Sequence, residues 1–480
     1  MCCGNGCGLN DKVKPGPAAR DTIYVLAEHL AVATFPQLPI DVVQATKQYI
    51  TDCLGVTIAG SSAPGCQEVV DQVIEWGGRP EATILTFGNR VPAYLAAFAN
   101  SAMARALDLD DVFEEAVAHV TCSVLPVALA MAELTGRTSG RDLVAAVALG
   151  RDTLCRLALA NRNLEGERGR SQSYQLNTFA SAATAGWYLG LNVDQLVAAF
   201  GLAYGQGMSN RQGVIDGTMA VRIHQGLSAQ LGTQAAQLAR RGVTGARNVI
   251  DGKYGYYHVY EGGRYDSAPV IEGLGQVFRG IESSIKPYPC CKQSHTSVRA
   301  TIELCTELGA QWADIVAIDI GVNEMAYYTV CAPPEGRYRP RTIFDAQFSA
   351  PWAVAVAAVR GTFFLEDLTP AALDDPQVQL VADRVTCRID EEVERSAVGK
   401  ISPAVVEITL RDGRHARKRV DHVKGHPLNP MTFDEIVEKF RRCVPHASIA
   451  RDPKRIDRSL EMLANLERVA DIREMIGLLA

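Results

Sequence analysis

The sequence predicts a mainly α protein in which a large all-helical domain carries an inserted α+β lid domain. Before residue 250, apolar residues recur three and four positions apart, the spacing of one helix face. Strand-like segments are confined to residues 276–424, and helical spacing returns afterwards. We therefore expect a flexible tail over 1–20, the helical domain over 21–275, the lid over 276–424, and helices over 425–480 that complete the helical domain.

The helical domain is predicted from apolar-faced segments separated by Gly, Pro and Ser. Many positions in these segments are Ala or Gly, and small residues permit close helix contacts, so we expect a compact bundle. Thr121 or Ser123 is a plausible N-cap for one helix, and a short β-like patch covers 82–88. Beyond two helices between residues 21 and 60, the predicted helices are 67–76, 93–107, 123–134, 140–159, 178–189, 193–203 and 227–241.

The lid is predicted from runs of β-branched residues. Residues 315–322 and 384–389 have strand composition, and the Arg-Asp-Gly-Arg turn at 411–414 predicts a hairpin between two further strands. Helical segments at 298–308 and 351–359 lie between the strands, which makes this unit α+β.

Composition favours a soluble protein that acts on small molecules. The net charge is −6, so no broad basic face for nucleic acid is expected, and no apolar run reaches the roughly 18 residues of a membrane helix. Most of the 13 cysteines lie singly in apolar helical runs, a pattern typical of reduced thiols. The N-terminus lacks the pattern of a signal peptide, so the expected location is the cytoplasm.

The stretch from residue 106 to 119 is the first candidate site. It places five acidic residues and His119 between two helical runs. Asp108, Asp111 and Glu115 would share one face if the helix continued, while Glu114 and Glu115 are expected to face water. The stretch could serve acid/base chemistry, form a solvated turn, or bind the metal of a hydrolase. No metal is expected, because no HxxxH, ExxH or CxxC spacing lies nearby.

A second cluster runs from Lys286 to His295. Its prolines and Tyr288 predict a rigid, irregular loop, and His295 falls where the next helix begins, a position suited to anion binding or proton transfer. Cys290 and Cys291 are nucleophile candidates only formally, because adjacent cysteines rarely share a site.

Two further groups are basic. Arg222 and His224 share a face if their segment is extended and diverge if it is helical, and Arg222 is the better candidate for a carboxylate clamp. A surface arginine paired with an acid is the alternative. Three arginines near Pro340 suit either anion recognition or a solvated loop.

Four ordered motifs resemble the MmgE/PrpD family, which includes 2-methylcitrate dehydratase, cis-aconitate decarboxylase and iminodisuccinate epimerase. They are the acidic stretch with Val-Leu-Pro behind it, the Lys-Pro-Tyr-Pro-Cys-Cys loop ending at His295, Asp-Ala-Gln-Phe-Ser at 345–349, and Lys-Gly-His-Pro-Leu-Asn-Pro at 424–430. The resemblance covers nearly the whole chain from residue 22.

The resemblance implies a helical domain with an α+β lid, a cleft between them, homodimers and no cofactor. It also implies acid/base chemistry on small di- and tricarboxylates, with His119 and His295 as catalytic residues and Asp108 orienting one of them. Lys286 and Tyr288, with Arg222 and His224 from the basic segment, are the candidates for substrate binding.

Three departures from the family pattern weaken transfer of one particular activity. His119 is followed by Val-Thr where relatives often have Pro-Ser, Val221 stands in place of a catalytic lysine, and the segment 174–178 lacks a common histidine. We predict a lyase of the 2-methylcitrate dehydratase type. The alternatives are an epimerase of the iminodisuccinate type, a cis-aconitate decarboxylase-like enzyme, and a non-catalytic relative that binds a carboxylate or a protein partner.

Overall fold

The structure is a computed structural model that describes residues 20–162, 169–207, 210–397 and 400–480. The predicted flexible tail, apart from Arg20, lies outside the described residues. The chain folds mainly into α-helices, which confirms the predicted fold class. Within the described ranges, no helix is both long enough and apolar enough to cross a membrane.

Twelve helices precede residue 275 in the described part of the chain. They are α1 (Ile23–Val32), α2 (Ile40–Gly60), α3 (Cys66–Trp76), α4 (Ala93–Arg105), α5 (Thr121–Thr135), α6 (Gly140–Ala160), α7 (Gln172–Tyr188), α8 (Val193–Gln206), α9 (Gln212–Ile215), α10 (Ala220–Arg240), α11 (Tyr256–Tyr260) and α12 (Ala268–Ile271). Two short antiparallel ladders join this series: β1 (Ala82–Thr83) with β2 (Arg90–Val91), and β3 (Val112–Phe113) with β4 (Ala118–His119).

The remaining helices alternate with strands and then close the chain. They are α13 (His295–Leu308), α14 (Glu324–Ala326), α15 (Ile343–Gln347), α16 (Ala350–Arg360), α17 (Pro370–Leu373), α18 (Pro376–Ala382), α19 (Glu391–Ser396), α20 (Phe433–Cys443), α21 (Pro453–Ala464) and α22 (Arg473–Leu479). The strands are β5 (Ile315–Val322), β6 (Val385–Ile389), β7 (Ala404–Leu410) and β8 (His415–Val420).

Small residues let the long helices pack closely, as the composition predicts. A Cβ added to Gly60 of α2 would lie 2.0 Å from the Met103 carbonyl oxygen of α4. A Cβ on Gly232 of α10 would lie 2.5 Å from the Thr178 carbonyl oxygen of α7. Both distances are far below van der Waals contact, so these crossings require glycine.

The second unit is built on one four-stranded sheet in the order β6-β5-β7-β8. Strands β5 and β6 are parallel, while β5 with β7 and β7 with β8 are antiparallel. All four predicted strands are present, and the predicted hairpin joins β7 to β8. Helices α13 and α16 pack over this sheet through buried residues such as Val298 and Trp352.

Two large hydrophobic cores organise the described chain, and Tyr49, Ile285 and Ile436 form a small third cluster. The larger contains α1 to α8 and α10 together with buried residues of α20, α21 and α22, so the C-terminal helices pack on the N-terminal ones. The smaller runs from Tyr288 to Leu410 and contains the four-stranded sheet. The division of the chain at residues 276 and 425 stays a prediction.

Candidate active site

The acidic stretch is a short hairpin and not a helical continuation. Helix α4 ends at Arg105, and Asp108 adopts φ +51°, a left-handed conformation that interrupts helical geometry. The ladder of β3 with β4 then pairs Val112 with His119. The helix does not continue, so Asp108, Asp111 and Glu115 do not share a helical face.

Helix α5 begins directly after the hairpin. Its N-cap is Val120, whose side chain makes no capping hydrogen bond, so the predicted caps Thr121 and Ser123 are wrong. The carboxylate of Asp111, which lies outside the helix, caps its first turn instead, because Asp111 Oδ1 accepts a hydrogen bond from the Thr121 backbone N–H at 3.1 Å. The partner of Asp111 is Arg151, at 2.8 Å and equally buried.

His119 is held by the carboxylate of Asp110. Nδ1 of His119 lies 2.8 Å from Asp110 Oδ2, while Nε2 is 4.0 Å from Asp108 Oδ1. The backbone of His119 is fixed as well, because Ser173 Oγ accepts its N–H at 3.0 Å and Asn177 Nδ2 donates to its carbonyl at 2.7 Å. An ionised Asp110 requires a hydrogen on Nδ1, which leaves the Nε2 lone pair available.

Electrostatics keep Asp110 ionised and His119 neutral. Burial by itself raises the pKa of Asp110, but His119 and Arg105 outweigh it and hold that pKa well below its ordinary value. Burial, reinforced by Arg105, lowers the pKa of His119 below its ordinary value, although Asp110 opposes the shift. At neutral pH the imidazole is therefore a base and not a cation.

Two cations compensate the buried Asp108. Its carboxylate lies 2.5 Å from Arg105 Nη1 and 3.2 Å from Lys286 Nζ, which also donates to the Asp108 carbonyl at 2.8 Å. Burial raises the pKa of Asp108, but Lys286 and Arg105 more than offset that effect and lower it. Lys286 lies in the loop that leads into the sheet-containing unit, so this ion pair links the start of that unit to the residues that follow α4.

The same carboxylates have the geometry of a cation site. Asp108, Asp110 and His119 each offer one ligand atom, and these atoms lie within 4.8 Å of one another. Arg105 and Lys286 already balance this charge at contact distance. A divalent ion there would be repelled by both, so the residues present do not fit a resident metal well.

A cavity of about 270 Å³ opens beside His119 and is lined by both parts of the chain. That volume suits a ligand smaller than a typical drug molecule. Its helical wall includes Arg105, Asp108, His119 and Tyr174, and its other wall includes Lys286, Cys291, Lys292, Gln293 and Phe348. Lysine and arginine side chains on both walls suit an anionic ligand.

Glu114 supports this cavity and does not face water, contrary to the prediction. Its carboxylate lies 3.0 Å from Lys292 Nζ and 3.7 Å from Nε2 of His426, and it accepts a hydrogen bond from Ser284. Burial lowers the pKa of Lys292, with Glu114 opposing the shift. Glu115 matches the prediction better, since its carboxylate is half exposed and forms an ion pair with Lys400 at 2.9 Å.

The structure does not bring His295 to the cavity. Its ring is fully buried at the start of α13, with Nε2 3.1 Å from the Cys290 carbonyl. Tyr288 packs against it at 5.3 Å between ring centroids and against Phe363 in the smaller core. The loop turns through a 3-10 segment before α13, so Cys291 and Lys292 line the cavity while His295 points into the core.

Arg222 and His224 are also placed away from His119. Helix α10 begins at Ala220, so residues two apart diverge by about 200° around its axis. Arg222 donates to the Pro64 carbonyl and lines a separate cavity of about 1050 Å³. The His224 ring packs on Tyr174 at 5.5 Å between centroids.

Several residues of the site have no strong sequence signal. Asp110 is one of five acids in the stretch, and only the hairpin register places it against His119. Arg105 could have been found from its spacing of three residues before Asp108 at a helix end. Lys292 and Cys291 are hidden because the turn geometry of their loop decides which side chains reach the cavity.

Fold and site together define a mainly helical protein with a buried carboxylate–histidine pair in a cation-lined cavity between two units. A family model for the MmgE/PrpD N-terminal domain matches residues 25–268, and one for the MmgE/PrpD C-terminal domain matches residues 288–464. The chain therefore belongs to the MmgE/PrpD family, which confirms the resemblance found in the sequence.

Curated relatives match along almost the whole chain. A cis-aconitate decarboxylase-like protein (oryM) of Aspergillus oryzae is 26% identical over 92% of this chain and 94% of its own length. The cis-aconitate decarboxylase of Homo sapiens is 24% identical over 91% and 90%. A 2-methylcitrate dehydratase of Cupriavidus necator is 26% identical over 82% and 84%. Decarboxylases and dehydratases of this kind are lyases.

Proposed function

We propose that this protein is a cofactor-independent lyase that removes a proton next to a carboxylate of a small di- or tricarboxylate. The observation that carries the proposal is the neutral His119, held through Nδ1 by Asp110 with Nε2 left free beside the cavity. The relatives named as decarboxylases and a dehydratase support the enzyme class. Dehydration of the 2-methylcitrate type is the leading reaction.

In this proposal His119 Nε2 is the general base. It takes the carbon-bound proton, and the negative charge that develops on the adjacent carboxylate is stabilised by the cations of the cavity. Lys292 contributes from the sheet unit, and Lys286 and Arg105 contribute through the buried network around Asp108. Loss of the neighbouring hydroxyl group as water would complete a dehydration.

Decarboxylation of cis-aconitate is the second candidate. The relatives from Aspergillus oryzae and Homo sapiens, whose names refer to that reaction, favour it. Val221 is buried, with no charged group of its own, where the family resemblance implies a catalytic lysine. Arg105, Lys286 and Lys292 would then have to supply the positive charge that the missing lysine does not.

The test is incubation of the protein with 2-methylcitrate, cis-aconitate and iminodisuccinate in deuterated water. Product analysis by mass spectrometry distinguishes loss of water, loss of carbon dioxide, and deuterium exchange without net loss, which would indicate an epimerase. His119→Ala is expected to abolish each reaction, and His415→Ala, on the exposed end of β8, is the matched control. The proposal fails if no substrate reacts, or if His119→Ala retains full activity.

Homodimerisation and the absence of a cofactor remain predictions. Size-exclusion chromatography with light scattering measures the first directly. Activity that survives dialysis against a chelator is the expected result for the second, and its loss would favour a metal-dependent reaction at the Asp108, Asp110 and His119 cluster.

A further inference from the structure

We propose that Cys291 is the second proton-transferring residue of this site and acts as the general acid where His119 acts as the base. The inference rests on the proposed function, because it assigns the partner of His119 in the same reaction. The sequence offers no reason to assign Cys291 a role as a nucleophile, and the role proposed here is a different one.

The loop geometry separates Cys291 from its neighbour. Cys290 is fully buried in the smaller core, whereas Cys291 is partly exposed and lines the cavity. The backbone of Cys291 is fixed on both sides, because its N–H donates to the Gln347 carbonyl at 2.8 Å and its carbonyl accepts from Ser294 at 2.9 Å. The thiol is therefore presented to the cavity by a rigid segment.

His119 and Cys291 reach this cavity from different units. His119 lies in β4 of the helical unit, and Cys291 precedes the 3-10 turn that leads into α13. A ligand in the cavity would contact both units, so His119 and Cys291 can contact different atoms of one substrate. That arrangement is what an elimination needs, since one group removes a proton and another protonates the departing oxygen.

The surroundings of the thiol favour an acid over a nucleophile. Burial, with a further contribution from Asp108, raises the pKa of Cys291 to about 11, although Lys286 opposes the shift. The sulfur therefore carries its hydrogen at neutral pH, and a thiolate nucleophile is disfavoured. Arg211 also lowers the pKa of this thiol, and the Arg337 guanidinium interacts with it as well.

In a dehydration the proton balance is simple. Nε2 of His119 takes the hydrogen on the carbon next to the carboxylate, and the electron pair of that C–H bond forms the new double bond. The bond from the neighbouring carbon to its hydroxyl group breaks, and the Cys291 S–H gives its hydrogen to the leaving oxygen, which departs as water. The thiolate recovers a proton, and the imidazolium loses one, by exchange with water.

The experiment compares Cys291→Ala with Cys290→Ala, using 2-methylcitrate in deuterated water. Two quantities are measured: release of the dehydrated product, and deuterium uptake at the carbon next to the carboxylate in recovered substrate. For Cys291→Ala we expect product release to fall by about 10²- to 10⁴-fold, the usual contribution of a general acid, while deuterium uptake continues. Continued uptake also shows that the variant is folded and binds substrate. Cys290→Ala is expected to retain product release.

The outcomes separate this inference from the proposed function. If wild-type protein neither releases product nor takes up deuterium, the proposed function is wrong and the role of Cys291 falls with it. If wild-type protein is active and Cys291→Ala releases product at the wild-type rate, only the role of Cys291 is overturned. Equal loss of both signals in Cys291→Ala also overturns it, because the residue would then serve binding or folding and not the second proton transfer.

Discussion

Replacing Asp110 by Asn tests the electrostatic account of His119 most directly. The carboxylate lies 2.8 Å from Nδ1 and its side chain is fully buried, so solvent does not screen the interaction. The amide of Asn has nearly the same shape but no charge. Its NH₂ group can donate to Nδ1, which would move the imidazole hydrogen to Nε2 and block the lone pair that accepts the proton.

The magnitude follows from the kind of hydrogen bond that is lost. A buried hydrogen bond to a charged group contributes about 1.5–3 kcal/mol, which corresponds to about 10- to 150-fold in rate if the interaction is needed in the transition state. The expected result is a fall in kcat/KM of that size. Circular dichroism and thermal melting of the variant establish that the fold is retained.

A pH profile adds a signature that a structural role would not produce. The base must be neutral, so activity rises with pH as His119 loses its proton. Asp110 raises the pKa of His119 against the larger lowering by burial and Arg105. Removing the charge therefore shifts the acid limb of the residual activity to lower pH. Asp111→Asn is the matched control, because Asp111 contacts Arg151 and not His119, and it should lower the melting temperature without moving the limb. An acid limb that stays in place or moves to higher pH in Asp110→Asn would refute the assignment.

Three further predictions concern the supporting residues. Lys286→Met removes one of the two cations that pair with the buried Asp108 carboxylate, and it should lower the free energy of unfolding by about 3–5 kcal/mol in urea titrations. Adding Asp108→Asn should restore part of that free energy, which would not happen if the loss came only from the shape of Met. Burial depresses the pKa of His295 well below 6.5, so the unfolded chain binds more protons than the folded one, and stability is lost as the pH falls below about 6.5. His295→Gln should therefore reduce the difference in unfolding free energy between pH 7.5 and pH 5.5 by about 1 kcal/mol, and an unchanged difference would contradict this. Lys292→Met should raise KM for a tricarboxylate about tenfold or more, whereas Arg222→Met, which alters the separate cavity of about 1050 Å³, should leave KM unchanged. If Arg222→Met raised KM and Lys292→Met did not, the larger cavity would be the substrate site.

The fold was largely predictable because its elements carry local signals. Apolar spacing defined the long helices, and β-branched runs with the Gly413 turn defined the sheet and its hairpin. Helix ends were less accurate. Helix α10 begins at Ala220, earlier than the apolar spacing indicates, and α7 begins at Gln172, because tertiary packing extends helices through polar turns.

The site was predictable in part, and the failures share one cause. His119, Asp108 and Lys286 were named from the sequence and line one cavity. His295 was chosen because it begins a helix, but its orientation depends on the 3-10 turn before it, which no periodicity reveals. In the same way, the partner of His119 depends on the hairpin register, so Asp110 could not be preferred over Asp108 from spacing alone.

The pairing of Asp108, Asp110 and Asp111 accounts for the high number of acidic residues in the stretch 106–119. Each has a different basic partner: Asp108 pairs with Lys286, Asp110 with the neutral imidazole of His119 and with Arg105 nearby, and Asp111 with Arg151. The Asp108 pair joins the two units, the Asp111 pair anchors the start of α5, and the Asp110 pair sets the imidazole. Burying a carboxylate is unfavourable unless it is paired, and each of these three buried aspartates is paired with a group on a different element. The three pairs therefore fix the positions of several elements at once. We infer that the density of acids reflects the assembly of a cavity from separate parts, with Asp110 as the one carboxylate whose charge bears on the chemistry.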